Sequence, residues 1–120
     1  MLSEKQHGLL RDVLDSALVI ETYLVGVPQS AFMQNTEKQD AVLRRFEIIG
    51  EASSKLALET QALFTGLPFR QMRGMRNIIV HDYGEVDLDQ VWRTASGGDL
   101  KVLIATLRSF FDNLEGACVV

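Results

Sequence analysis

One cysteine, Cys118, is all that 120 residues contain. A lone thiol can build neither an internal disulfide framework nor a zinc-finger spacing. An excess of positive charge is also missing: 12 Lys and Arg stand against 16 Asp and Glu, for a net charge of −4. That balance argues against a generally basic protein that coats duplex nucleic acid, while leaving room for a local basic patch. No apolar run approaches the roughly 20 residues of a membrane-spanning helix. The start, Met1 to His7, shows no apolar signal-peptide core, and Cys118-Val119-Val120 is one residue short of a prenylation box. The expectation is a soluble cytoplasmic protein with no membrane association. Strand-type alternation is nowhere sustained, and there is no repeat, linker or low-complexity stretch. A glycine-rich phosphate loop is lacking as well.

What is present is apolar content, at 47% of residues, enough to exclude disorder. The length suits a single domain over residues 1–120. Ser3, with Gln6 three residues later, reads as a capping box. Leu10, Val13, Leu14, Ala17 and Leu18 then recur at helical spacing. Gly26-Val27-Pro28 ends that helix, and one short helical turn is expected over residues 30–35. Thr36 with Gln39 repeats the capping pattern ahead of Val42, Leu43, Phe46, Ile49 and Ala52, a stripe that continues to about Leu58. After the Gly66-Leu67-Pro68 loop, the spacing predicts a helix from Pro68 or Phe69 to about His81, buried through Met72, Met75, Ile78 and Ile79. Asp87 caps a short helix bearing Val91 and Trp92, Gly97-Gly98 breaks it, and Asp99 caps a last helix through Leu103, Leu107 and Phe110. The fold class is therefore all-α, an up-and-down bundle with short additional helices.

Polar groups concentrate at the third long helix. Arg70, Arg73 and Arg76 are three apart and form an arginine stripe on an acidic chain, with Asn77 beside them and His81 near the helix end. Cleavage of RNA without a metal needs a base for the ribose 2′-OH, an acid for the leaving 5′-oxygen and a cation for the phosphorane. Histidine suits both proton transfers near neutral pH. Arginine grips phosphate oxygens in a bidentate fork. Only one histidine lies here, so both transfers become easier if a two-fold dimer brings in a second His81. A plainer reading stands beside this one: a histidine capping a helix end, favoured by the helix dipole, a solvated arginine face, and Tyr83 covering a core edge. The residues alone leave the two open.

Arg76-Asn77-Ile78-Ile79-Val80-His81-Asp82-Tyr83 is similar to the motif of the HEPN superfamily: arginine, a polar residue, three more, histidine, any residue, tyrosine. The stretches 43–52, 68–75 and 86–92 resemble the family's central helix, the lead into the motif and the segment after it. The resemblance runs from about residue 36 to 94 and points to the HepT-like toxins paired with minimal nucleotidyltransferase antitoxins. It implies a HEPN-type helical bundle, a homodimer with two motifs in a shared cleft, and a metal-independent endoribonuclease with no cofactor. Arg76 and His81 would be its catalytic pair, with Asn77 in support. Tyr83 would be the acceptor that a nucleotidyltransferase partner modifies with AMP, blocking RNA by bulk and charge. Departures are the glycine-rich hinge at Ser96-Gly97-Gly98-Asp99 and Phe69 where tryptophan is common.

Arg70 and Arg73 remain candidates for binding RNA. Glu47 and Glu51 are either members of an ion-pair ladder with Lys55 or carboxylates that orient Arg76 or His81. Asp82, Glu85 and His7 read as surface residues, and no His, Cys or carboxylate pair has metal-ligand spacing. Two other functions compete: a non-catalytic protein of the same fold that docks a nucleotidyltransferase, and a structural dimerisation domain.

Overall fold

The structure, a computed structural model, describes residues 2–119, with side chains through Glu115. The side chain of Cys118, like Met1 and Val120, lies outside the described residues. Among the described residues seven α-helices follow one another: α1 (Glu4–Leu24), α2 (Gln29–Met33), α3 (Thr36–Ser54), α4 (Leu58–Ala62), α5 (Phe69–His81), α6 (Leu88–Ser96) and α7 (Gly98–Val119). A 3₁₀ turn over Tyr83–Glu85 joins α5 to α6. Among the described residues there is no strand, so the chain is an all-α bundle. No described helix is long and apolar enough to cross a membrane.

The central helix is α3, packed against α1 on one side and α5 on the other, while α7 lies along α1 and α6 bridges to α7, α1 and α3. Its heptad-like apolar faces explain the order. Leu10, Val13, Ala17 and Ile20 of α1 meet Val42, Phe46 and Ile49 of α3 and Leu103 and Leu107 of α7, all with no exposed surface. Each of the larger side chains, Ala17 excepted, contributes roughly 1.5–3 kcal/mol by leaving water. Phe32 of α2 is equally buried and stacks at a tilt on Trp92 of α6, centroids 5.4 Å apart, which closes one end. Gly26, with φ +71°, makes the turn after α1 that a side chain would strain.

Several helix ends differ from the sequence expectation, for physical reasons. Ser3 does accept from the Gln6 backbone N–H at 3.2 Å, but the Gln6 side chain does not return to complete a capping box. Its Oε1 accepts instead from the Ala57 N–H at 2.9 Å and the Thr60 hydroxyl at 2.6 Å, tying α1 to α4. Asn35, not Thr36, caps α3, accepting from Lys38 N–H at 2.9 Å. Gln39 donates to the carbonyls of Phe32 and Met33. The stripe expected to reach Leu58 stops at Ser54, and the separate helix α4 follows. Asp87 caps α6 through the N–H groups of Asp89 and Gln90 as expected, whereas α7 already begins at Gly98, with Asp99 inside its first turn. Along α5, Met72 and Ile79 are buried, but Ile78 is 44% exposed. His7, expected at the surface, is half-buried against Phe110.

Candidate active site

Helix α5 begins with Phe69 packed into the core, with Leu67 carbonyl accepting its N–H at 3.0 Å. That anchor sets the rotation of every later residue on the helix. Arg76 is thereby turned toward α3, where its guanidinium Nη2 lies 3.3 Å from Glu51 Oε2 and its side chain keeps 20% exposure. Its Nε is buried without a partner. The same Glu51 carboxylate receives Lys55 at 3.5 Å from within α3. Glu47 does not join this group; it pairs with Arg44 at 3.4 Å, one turn back. Of the two glutamates left open by the sequence, Glu51 is therefore the one in contact with Arg76.

This junction is tight because of Gly50. A Cβ there would overlap the Cβ of Arg76 and come within 2.6 Å of the Met72 carbonyl oxygen. Only a glycine lets α3 and α5 approach so closely, and the approach is what places Glu51 within reach of Arg76.

His81 ends α5 and is exposed, as is Asn77 one turn before it. His81 lies five positions after Arg76, which on an α-helix is about 140° of rotation and about 7.5 Å of rise. Within one chain the two side chains thus leave the helix in divergent directions. The three arginines diverge too and do not form one stripe. Arg73 Nη1 leans on Gln61 Oε1 of α4 at a long 3.4 Å, and exposed Arg70 borders a groove of about 490 Å³ with Gly66, Pro68 and Asp99. The exposed Asp82 and Glu85 match their expected surface placement.

Tyr83 opens the 3₁₀ turn and is 55% exposed. Its hydroxyl donates to Asp40 Oδ1 of α3 at 3.0 Å. That hydrogen bond, then desolvation and the Asp40 charge, raises the phenol above its ordinary pKa of 10.0, because the carboxylate favours the protonated donor. Asp40 escaped the sequence reading: it sits 43 residues from Tyr83, and no local pattern links them. Gln61 was missed for the same reason. Gly50 did carry a signal, since an isolated glycine inside a helical pattern often marks a close approach.

An apolar groove of about 380 Å³ between α5 and α6 is lined by residues such as Met75, Ile78, Val86 and Val91 and contains none of Arg76, His81 and Tyr83. Among the described residues no group of three or more His, Cys, Asp or Glu is placed to hold a metal ion.

A helical bundle presenting arginine and histidine from one helix, with a tyrosine at its exit, is the arrangement that the resemblance to HEPN domains implies. The comparisons with known proteins agree. The family described as "Ribonuclease HepT-like" matches residues 13–110, and the chain belongs to the HepT-like family. A Thermococcus cleftensis protein named "Probable ribonuclease HepT" is 31% identical over 114 residues, covering 95% of this chain and 99% of that protein. A Methanocaldococcus jannaschii protein named "Putative RNase" is 33% identical over 86 residues, 72% of this chain and 79% of the relative. Another from the same organism, named "Gamma-glutamylcyclotransferase and putative RNase", is 36% identical over 83 residues, 69% of this chain; the match spans only 37% of that longer protein. No solved structure gives a significant match.

Proposed function

We propose that this chain is a metal-independent endoribonuclease, the toxin of a toxin–antitoxin pair, acting as a homodimer. The observation that carries the reading is the pairing on α5 of a guanidinium held by Glu51 at 3.3 Å with an exposed histidine at the helix end. Arg76 neutralises the phosphorane, and its fixed position means little reorganisation when charge develops. One His81 takes the proton of the ribose 2′-OH as its oxygen attacks phosphorus. The P–O5′ bond breaks, a second His81 protonates the leaving 5′-oxygen, and a 2′,3′-cyclic phosphate remains. The divergence of Arg76 and His81 on one helix supports a shared site, in which a two-fold partner supplies the complementary side chain. Asn77, on the same exposed side of α5 as His81, supports the site, and Arg70 and Arg73 guide the RNA backbone.

The neutralising partner in this reading is a minimal nucleotidyltransferase that transfers AMP to Tyr83. The exposed hydroxyl supports it, and the added anion beside His81 would repel RNA phosphates.

The test is cleavage of a labelled RNA in EDTA by wild type, Arg76→Ala and His81→Ala chains. Each substitution should lower the rate roughly 10²- to 10³-fold with the fold retained. Activity in both variants equal to wild type, or wild-type activity that requires magnesium, would sink the assignment. Mixing His81→Ala chains with wild type should lower the activity more than in proportion to the wild-type fraction, because a heterodimer holds one His81 where the reaction uses two.

A further inference from the structure

Tyr83 has its hydroxyl open to solvent on one side and fixed on the other. Its donor bond to Asp40 Oδ1, at 3.0 Å, spans two elements, the 3₁₀ turn and α3. Fold stability gives little reason for this pair. Both residues are exposed, and a hydrogen bond between exposed groups contributes little against competing water. Asp40 makes no ion pair and caps no helix among the described residues. What the arrangement does supply is an acceptor hydroxyl that already points its proton at a carboxylate.

We propose that Asp40 is the general base for nucleotide transfer to Tyr83: its Oδ1 takes the phenolic proton as Tyr83 Oη attacks the α-phosphorus of a nucleoside triphosphate. The inference rests on the reading of Tyr83 as the acceptor. The Oη–P bond forms, the bond from the α-phosphorus to the bridging oxygen breaks, and pyrophosphate leaves. The proton passes from Oη to Asp40 and then to water, with no change in oxidation state. Kinases place an aspartate in the same relation to the hydroxyl they modify.

The chemistry needs such a group. A neutral phenol must lose its proton on the way to an aryl phosphodiester. Free phenolate is scarce here at neutral pH, because the Asp40 hydrogen bond holds the phenol above its ordinary pKa. A route through spontaneous ionisation is therefore slow, and a base already in contact replaces it. The other titratable groups on α3 are Glu37, Lys38, Arg44, Arg45, Glu47 and Glu51, and those beside Tyr83 along the chain are His81, Asp82 and Glu85. None makes a hydrogen bond to the phenol, and Asp40 alone perturbs its charge.

The experiment compares wild type, Asp40→Asn, Asp40→Ser, Asp40→Glu and Tyr83→Phe chains. Each is incubated with a purified minimal nucleotidyltransferase, magnesium and α-labelled ATP from about pH 6.5 to about pH 9.5. Initial rates are read by mass spectrometry on the Tyr83 peptide, with Tyr23, the other tyrosine, as internal reference. Asparagine keeps the acceptor oxygen but cannot take the proton. Asp40→Asn should be slower by roughly 100-fold at the acid end. The deficit should shrink toward the alkaline end, as phenolate forms unassisted; the transferase's own pH response cancels in the ratio. Asp40→Ser should behave alike, providing the same result should the Asn variant misfold, and Asp40→Glu should recover part of the rate. Equal rates in wild type and Asp40→Asn at every pH overturn the role of Asp40 while leaving Tyr83 as acceptor. A deficit that does not change with pH also overturns it, leaving Asp40 only to position the ring. Wild type left unlabelled, or labelled other than at Tyr83, overturns the acceptor reading and this inference with it.

Discussion

Replacing Gly50 by alanine tests how closely α3 and α5 approach at the candidate site. The added methyl would overlap Arg76 Cβ and sit 2.6 Å from the Met72 carbonyl oxygen. Both obstacles are fixed to the α5 backbone, so no rotamer change relieves them and the helices must separate. Alanine gains about 1 kcal/mol of helix propensity over glycine, while overpacking a well-fitted contact costs about 1–3 kcal/mol. The net is a loss of up to about 2 kcal/mol. Gly74 on α5 supplies the control, because a Cβ there meets nothing within 4 Å. Gly74→Ala should collect the propensity gain alone, stabilising by about 0.5–1 kcal/mol. The same chemical change at two glycines should thus differ by about 1–3 kcal/mol, or roughly 4–15 °C in Tm for a domain of this size. Urea unfolding of the two variants at unchanged m-value measures it. RNA cleavage should also fall in Gly50→Ala, since Arg76 is moved from Glu51. A Gly50→Ala chain as stable as Gly74→Ala would refute the close approach.

Three further outcomes are expected. Glu51→Ala should reduce RNA cleavage by freeing the Arg76 guanidinium, whereas Glu47→Ala, which loses only its contact with Arg44, should cleave near the wild-type rate; equal losses in a gel assay would remove Glu51 from the site. Absorbance titration at alkaline pH should place Tyr83 above the ordinary pKa of 10.0 and move it down in Asp40→Asn. Because the folded value is raised, the linked stabilisation is present in full below about pH 10 and is lost as pH climbs through the folded value; stability that instead grows across that range contradicts the bond. Gln6→Ala should cost about 1–3 kcal/mol in chemical denaturation, because it strands the Thr60 hydroxyl, which is 1% exposed; a neutral effect would mean that α4 does not depend on α1.

Local and periodic features were legible before any coordinates. The apolar spacing of Leu10, Val13, Leu14 and Ala17 determined α1, and its counterpart from Val42 to Ile49 determined α3, because a 3.6-residue repeat leaves one face that must be covered. Pro68 and Asp87 marked where α5 and α6 begin, since a missing N–H and a side-chain acceptor act within a few residues. Arg76 and His81 stood out because they lie close together on one helix, while the roles of Arg76, His81 and Tyr83 came from the resemblance of eight consecutive residues to the HEPN motif. Only the tertiary structure decided which partners they have. Glu51 rather than Glu47 meets Arg76, and Asp40 receives Tyr83, because those choices depend on how α3 and α5 rotate about their axes as the core packs. The same packing took Gln6 from its expected cap to α4 and spread Arg70, Arg73 and Arg76 apart. Which of two partners of similar local merit a side chain meets is set by which one the packed helices bring within reach, and that is decided only once distant segments have met.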